Sequence, residues 1–118
     1  MQPILKLKLS PKQEEIVRQS PNQVIGLIAG VIVANADQIG YMLQAYYPRE
    51  KVSKVMILTD SIHPIDQLSI TVEINYSIEE FNACSAIDTE DTKHMHVTVQ
   101  INQEEGSLQL IGEYWPEA

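Results

Sequence analysis

The chain has 118 residues, 44% hydrophobic and 20% charged, with 16 acidic against 8 basic side chains and a formal net charge of −8. The apolar content argues against disorder, and the acidic excess argues against nucleic acid or an anionic membrane as partner, since both need a basic face. The one cysteine, Cys84, leaves no internal disulfide and no cysteine zinc site, and makes a reducing, cytoplasmic location the expectation.

The length fits a single domain over residues 1–118. The first ten residues, MQPILKLKLS, carry no long apolar run and no small-residue cleavage site, so no signal peptide is expected. The longest apolar stretch, residues 24–34, is about half of the roughly 20 residues a membrane span needs.

In chain order, Ile4, Lys6 and Lys8 alternate with Leu5, Leu7 and Leu9, which predicts a strand with one wet face. After Ser10-Pro11, residues 12–18 predict a helical turn with Ile16 and Val17 facing inward. Ser20-Pro21-Asn22 breaks it. Residues 24–34 are apolar on every side. Their β-branched content favours a buried strand, whereas Ile39, Met42, Leu43 and Tyr46 follow at helical spacing. Two readings stand. One is a helix from about Gly30 to Tyr46, entered through an extended or looped stretch. The other is a strand to Ala34 and a helix after Asn35. The first is favoured, and Pro48 stops the helix in both.

From residue 52 onward the pattern is β. Residues 52–59 predict a strand, 61–66 a turn, and 68–74 a cleanly alternating strand. Residues 81–87 suggest a further strand or a continuation, and 88–93 a polar loop. Residues 94–101 alternate again. Residues 102–106 read as a hairpin loop with Gly106 supplying the backbone angle other residues avoid, and 107–115 close the sheet. The fold class is therefore α+β, with an apolar central helix wrapped by a curved antiparallel β-sheet. The hot-dog fold and the cystatin-like roll both have this order of elements. An all-round apolar helix suits the hot-dog better.

The stretch Gly26-Leu27-Ile28-Ala29-Gly30-Val31-Ile32-Val33-Ala34-Asn35-Ala36-Asp37-Gln38-Ile39-Gly40-Tyr41 resembles the helix-entry motif of hot-dog acyl-CoA thioesterases of the phenylacetate-pathway type. That motif is His-Gly-Gly, six residues, then Asp. Ile28-Ala29-Gly30 falls on His-Gly-Gly and Asp37 on the Asp. Residues 61–68, SIHPIDQL, are similar to the family's Pro-Val-x-Pro-Gly-Asp-x-Leu turn. Residues 99–111 are similar to its last hairpin. The departures are Ile28 for the His, Ala29 for the first Gly, and Ile65 for the Gly of Pro-Gly-Asp.

The resemblance implies an acyl-thioester hydrolase acting on an acyl-CoA or acyl-carrier-protein substrate without a cofactor. Asp37 would be general base or nucleophile, and the Gly30 N–H would polarise the carbonyl. Ile28, Ala29, Val31 and Ala34 would contact the substrate, and Val31, Val33, Ala34, Ile70 and Val72 would line an acyl tunnel. Asp37 as a helix cap and Gly30 as a close-packing residue are the structural alternatives. Ile28 in place of His also fits a non-catalytic hot-dog that binds an acyl group or lipid, or serves as an assembly subunit. A small acidic cystatin-like inhibitory or binding protein is a third reading. Both hot-dog readings imply a homodimer or homotetramer.

His94 and His96 lie two apart and would share a strand face, but no supporting ligand spacing accompanies them, so no metal site is expected. His63 is expected in an exposed turn. Tyr46 and Tyr47 suit either a subunit contact or the core. The acidic residues of the last third, Glu79, Asp91, Glu104 and Glu105 among them, read as a solvated rim.

Overall fold

The computed structural model describes residues 1–80 and 89–116. Strand β1 spans Ile4–Lys8, helix α1 Pro11–Gln19, helix α2 Val24–Ala34 and helix α3 Ala36–Gln44. The strands β2 (Glu50–Asp66), β3 (Ser69–Glu80), β4 (Thr89–Asn102) and β5 (Ser107–Ile111) follow. A 3-10 turn, Pro21–Gln23, joins α1 to α2. The strands form one antiparallel sheet in the order β1-β5-β4-β3-β2. The strand suggested at residues 81–87 and the start of the loop at residue 88 lie outside the described residues.

Alternation decides which face of this sheet is covered. Ile70, Val72, Ile74 and Tyr76 of β3 are buried, as are Met95, Val97, Val99 and Ile101 of β4 and Leu108 and Leu110 of β5. Their neighbours in sequence point the other way, as period-two geometry requires. The helices supply Val17, Ile28, Val31, Ile32, Ile39, Met42 and Leu43 to the same core.

Local chemistry starts α1 where its sequence suggests. Ser10 caps α1: its hydroxyl accepts the Gln13 N–H at 3.2 Å, and Gln13 Oε1 accepts the Ser10 N–H at 2.8 Å. This is a reciprocal capping box. The polar loop expected at residues 102–106 is observed, and Gly106 has φ +65°.

Four elements differ from what the sequence suggests, and the first is the polar loop expected at residues 88–93, which from Thr89 onward is part of strand β4, paired with β3. The apolar helix begins at Val24, six residues before Gly30. Ile28, Val31 and Ile32 bury one stripe at helical spacing, and that burial overrides the strand preference of the β-branched residues. The helix then breaks at Asn35, which has φ −113° and ψ 28°. The Asn35 Nδ2 donates to the Val31 carbonyl at 2.8 Å, so a side chain competes for the helix's own acceptor.

The turn expected at residues 61–66 is instead strand. β2 continues to Asp66, and the chain reverses at Gln67 and Leu68. The register shifts between Leu58 and His63 make room for the extra residues. Ser61 bridges this irregularity: its hydroxyl donates to the Leu58 carbonyl at 2.6 Å and accepts the Glu73 N–H at 2.7 Å. Asp66 Oδ1 accepts the Leu68 N–H at 2.9 Å and closes the hairpin.

The last strand is shorter than expected, ending at Ile111. Beyond it the chain runs beside the N-terminus, with Gly112 N–H on the Pro3 carbonyl at 3.0 Å and Trp115 N–H on the Met1 carbonyl at 2.9 Å.

Candidate functional site: the groove between α3 and β2

Helix α3 packs on β2 and leaves an open groove of about 480 Å³ beside it. Gly40 faces β2, and a Cβ there would make ordinary van der Waals contact with Val55 Cγ2 at 3.4 Å. Gln44 fixes the far end. Its Nε2 donates to the carbonyls of Tyr47 at 2.7 Å and Glu50 at 2.6 Å, and its Oε1 accepts the Val52 N–H at 2.9 Å. One amide side chain thus joins the end of α3 to the start of β2.

Asp37 and Tyr41 line the groove from α3, and Lys51, Val52 and Val55 line it from β2. Asp37 is exposed in the first turn of α3, where the helix dipole favours a negative charge. Tyr41 is 78% exposed. The groove therefore offers one carboxylate, one ammonium and a phenol against apolar walls, while the Gln44 amide is engaged in holding its far end.

The other residues singled out by sequence do not join Asp37. Gly30 lies in the interior of α2, where the helix ladder engages backbone N–H groups. A Cβ at Gly30 would meet nothing within 4 Å, so close packing does not require glycine there either. Ile28 and Val31 belong to the core, Ala29 is half-buried, and Ala34 is exposed. The expected tunnel is likewise dispersed among the described residues: Val31, Ile70 and Val72 are core, whereas Val33 is 51% exposed.

The histidines take surface positions. His63 is on β2 rather than in a turn, and His94 and His96 stand exposed on one face of β4 with ring centroids 6.5 Å apart. Among the described residues no group of three His, Cys, Asp or Glu side chains is arranged to hold a metal ion.

Tyr46 and Tyr47 are buried with Tyr76 and pack against the partly buried Trp115, rather than forming an exposed contact. The Tyr47 and Tyr76 hydroxyls are 2.7 Å apart, and the Tyr46 hydroxyl donates to the Glu113 carbonyl at 2.5 Å. Burial, then the Glu113 charge, pushes the Tyr46 phenol up to about 12. Burial also raises Tyr76 and Tyr47.

Sequence reasoning missed Gly40, Gln44, Lys51 and Val55. The signal for Gly40 and Gln44 was their spacing from Asp37, at i+3 and i+7 on one helix face. Nothing in the sequence pointed to Lys51 or Val55. No single helix among the described residues is long and apolar enough to cross a membrane. No protein-family model, no curated protein and no solved structure matches the chain.

Proposed function

We propose that the protein is a non-hydrolytic hot-dog-like subunit that binds an acyl group and pairs with a second copy of itself. The observation that carries the reading is the separation of the two groups that thioester hydrolysis would need. Asp37 opens into the α3–β2 groove, but Gly30 is inside α2 and not at a helix start. Without the Gly30 N–H, the donor that the resemblance assigns to the carbonyl is missing, and one such donor is worth about 10²–10³ in rate.

Acyl binding is supported by the crevices beside the helices, whose volumes of about 480 and 580 Å³ fall in the range of small-molecule sites. Pairing is supported by β2, an edge strand of 17 residues whose sole strand neighbour among the described residues is β3. A long uncovered edge is a template for another strand. The order of one strand, helices and four antiparallel strands is compatible with a hot-dog fold.

Purified protein incubated with short- and long-chain acyl-CoA should release no free thiol, and Asp37→Ala should not alter that result. Native mass spectrometry should show a dimer. Thiol release that disappears in Asp37→Ala would instead establish the hydrolase. A monomer at all concentrations would favour the cystatin-like binding protein.

A further inference from the structure

A second crevice lies away from Asp37, where the elbow between α1 and α2 faces the tip of the β2–β3 hairpin. Its volume is about 580 Å³. Buried apolar side chains reach it: Val17 from α1, Ile70 from β3 and Ile101 from β4. Ile25 and Leu68, each 43% exposed, also line it. Exposed apolar side chains on both sides of an apolar-lined crevice are what a bound chain would cover.

The polar groups lining this crevice are unequal. Arg18, in the last turn of α1, lines the crevice and has no carboxylate partner among the described residues. Among the described residues an ion pair joins Lys6 to Glu105. Asp66, on the hairpin side, is already engaged by the Leu68 N–H. Buried Val17, Ile70 and Ile101 beside one guanidinium that has no ion-pair partner among the described residues, with the exposed amides of Gln67 and Gln103 at the rim, fit an apolar chain ending in a single negative charge. The Asp66 carboxylate in the same lining and the net charge of −8 oppose any anion, and a polyanionic head such as a coenzyme phosphate more strongly than a single carboxylate held on Arg18.

We infer that this elbow crevice binds a medium-chain free carboxylate, its alkyl chain between Ile25 and Leu68 and its carboxylate on Arg18. The inference rests on the acyl-binding reading and makes it narrower: the ligand is the free acid, not the thioester. It also places the ligand away from the Asp37 groove.

The test uses the whole chain and three probes, decanoate, decanol and decanoyl-CoA, followed by calorimetry and by amide and methyl chemical shifts. Decanoate should bind and shift Ile25 and Leu68. Arg18→Ala should weaken decanoate by about tenfold or more, the range of a hydrogen bond to a charged group, and leave decanol unchanged. Arg18→Lys should restore part of the loss. Arg18 is exposed, so these variants should fold. Decanoate affinity unchanged in Arg18→Ala, or shifts confined to Asp37 and Tyr41, would overturn the inference. Binding of decanoyl-CoA that ignores Arg18 would overturn it while leaving the acyl-binding reading in place. Absence of binding by all three probes would remove both.

Discussion

Tyr47 and Tyr76 illustrate how single side chains tie the ends of this molecule together. Their hydroxyls satisfy one another in a buried setting, and Trp115 stacks edge-on against Tyr47 with centroids 5.6 Å apart. Tyr76→Phe keeps the ring but leaves the Tyr47 hydroxyl without its partner. We expect a loss of about 1 kcal/mol, read from the urea midpoint. The raised phenols also predict an alkaline limit. The native state holds protons that the unfolded chain, with ordinary tyrosines near 10, releases. Their contribution is present in full below about pH 10 and is lost as pH rises through the folded value, about 12 for Tyr46. Urea midpoints between about pH 8 and pH 11.5 should therefore fall, and more gently in Tyr76→Phe. A flat profile in the wild type would contradict the burial of these phenols.

At the scale of elements, the α3–β2 groove depends on Gln44 more than on the residues that line it. Gln44→Ala removes three hydrogen bonds that set where β2 begins relative to α3. Part of the resulting exposure is relieved by water, because the residue is half-buried. A loss of about 2 kcal/mol is expected in chemical denaturation. Amide exchange should quicken at Val52, whose N–H loses its acceptor. Unchanged exchange at Val52 would show that the backbone holds the groove without this side chain. Asp37→Ala, by contrast, changes an exposed first-turn residue and should shift stability by no more than about 0.5–1 kcal/mol.

The whole molecule is elongated, 57 × 26 × 22 Å, because its longest strands far exceed the helices that cover them. Strand β2 alone, at about 3.3 Å per residue, accounts for nearly the full length. The register shifts between Ser53 and Met56 and between Leu58 and His63 interrupt its pairing with β3. Lys54 between the first pair has φ 52°, a rare angle for a side-chain-bearing residue. Met56, 60% exposed, sits at the end of that irregularity. If copies pair along β2, Met56→Lys adds a charge to that strand in each copy and should shift sedimentation from dimer to monomer. A dimer that survives this change would put the contact elsewhere.

What was legible in the sequence was everything that a short window decides. Alternation at residues 68–74 and 94–101 marked which side chains enter the core, because strand geometry sends every second residue to one face. Ser10, Gly106 and Pro48 announced a start, a turn and a stop through their own backbone chemistry. The class, α+β with an antiparallel sheet, followed from those signals. The position of the helix start did not. A run of β-branched residues gives the same local signal whether strand or helix, and only the opposing sheet selects the stripe Ile28, Val31 and Ile32. The candidate sites were hidden for the same reason. Asp37, Lys51 and Val55 line one groove only because α3 lies on β2, and Arg18 and Leu68 line one crevice only because the fold sets α1 opposite the hairpin tip. The sequence by itself determined the periods, the caps and the apolar inventory. The tertiary structure alone decided which of those apolar faces were covered and which polar groups came together, since burial depends on what packs opposite and no local pattern records it.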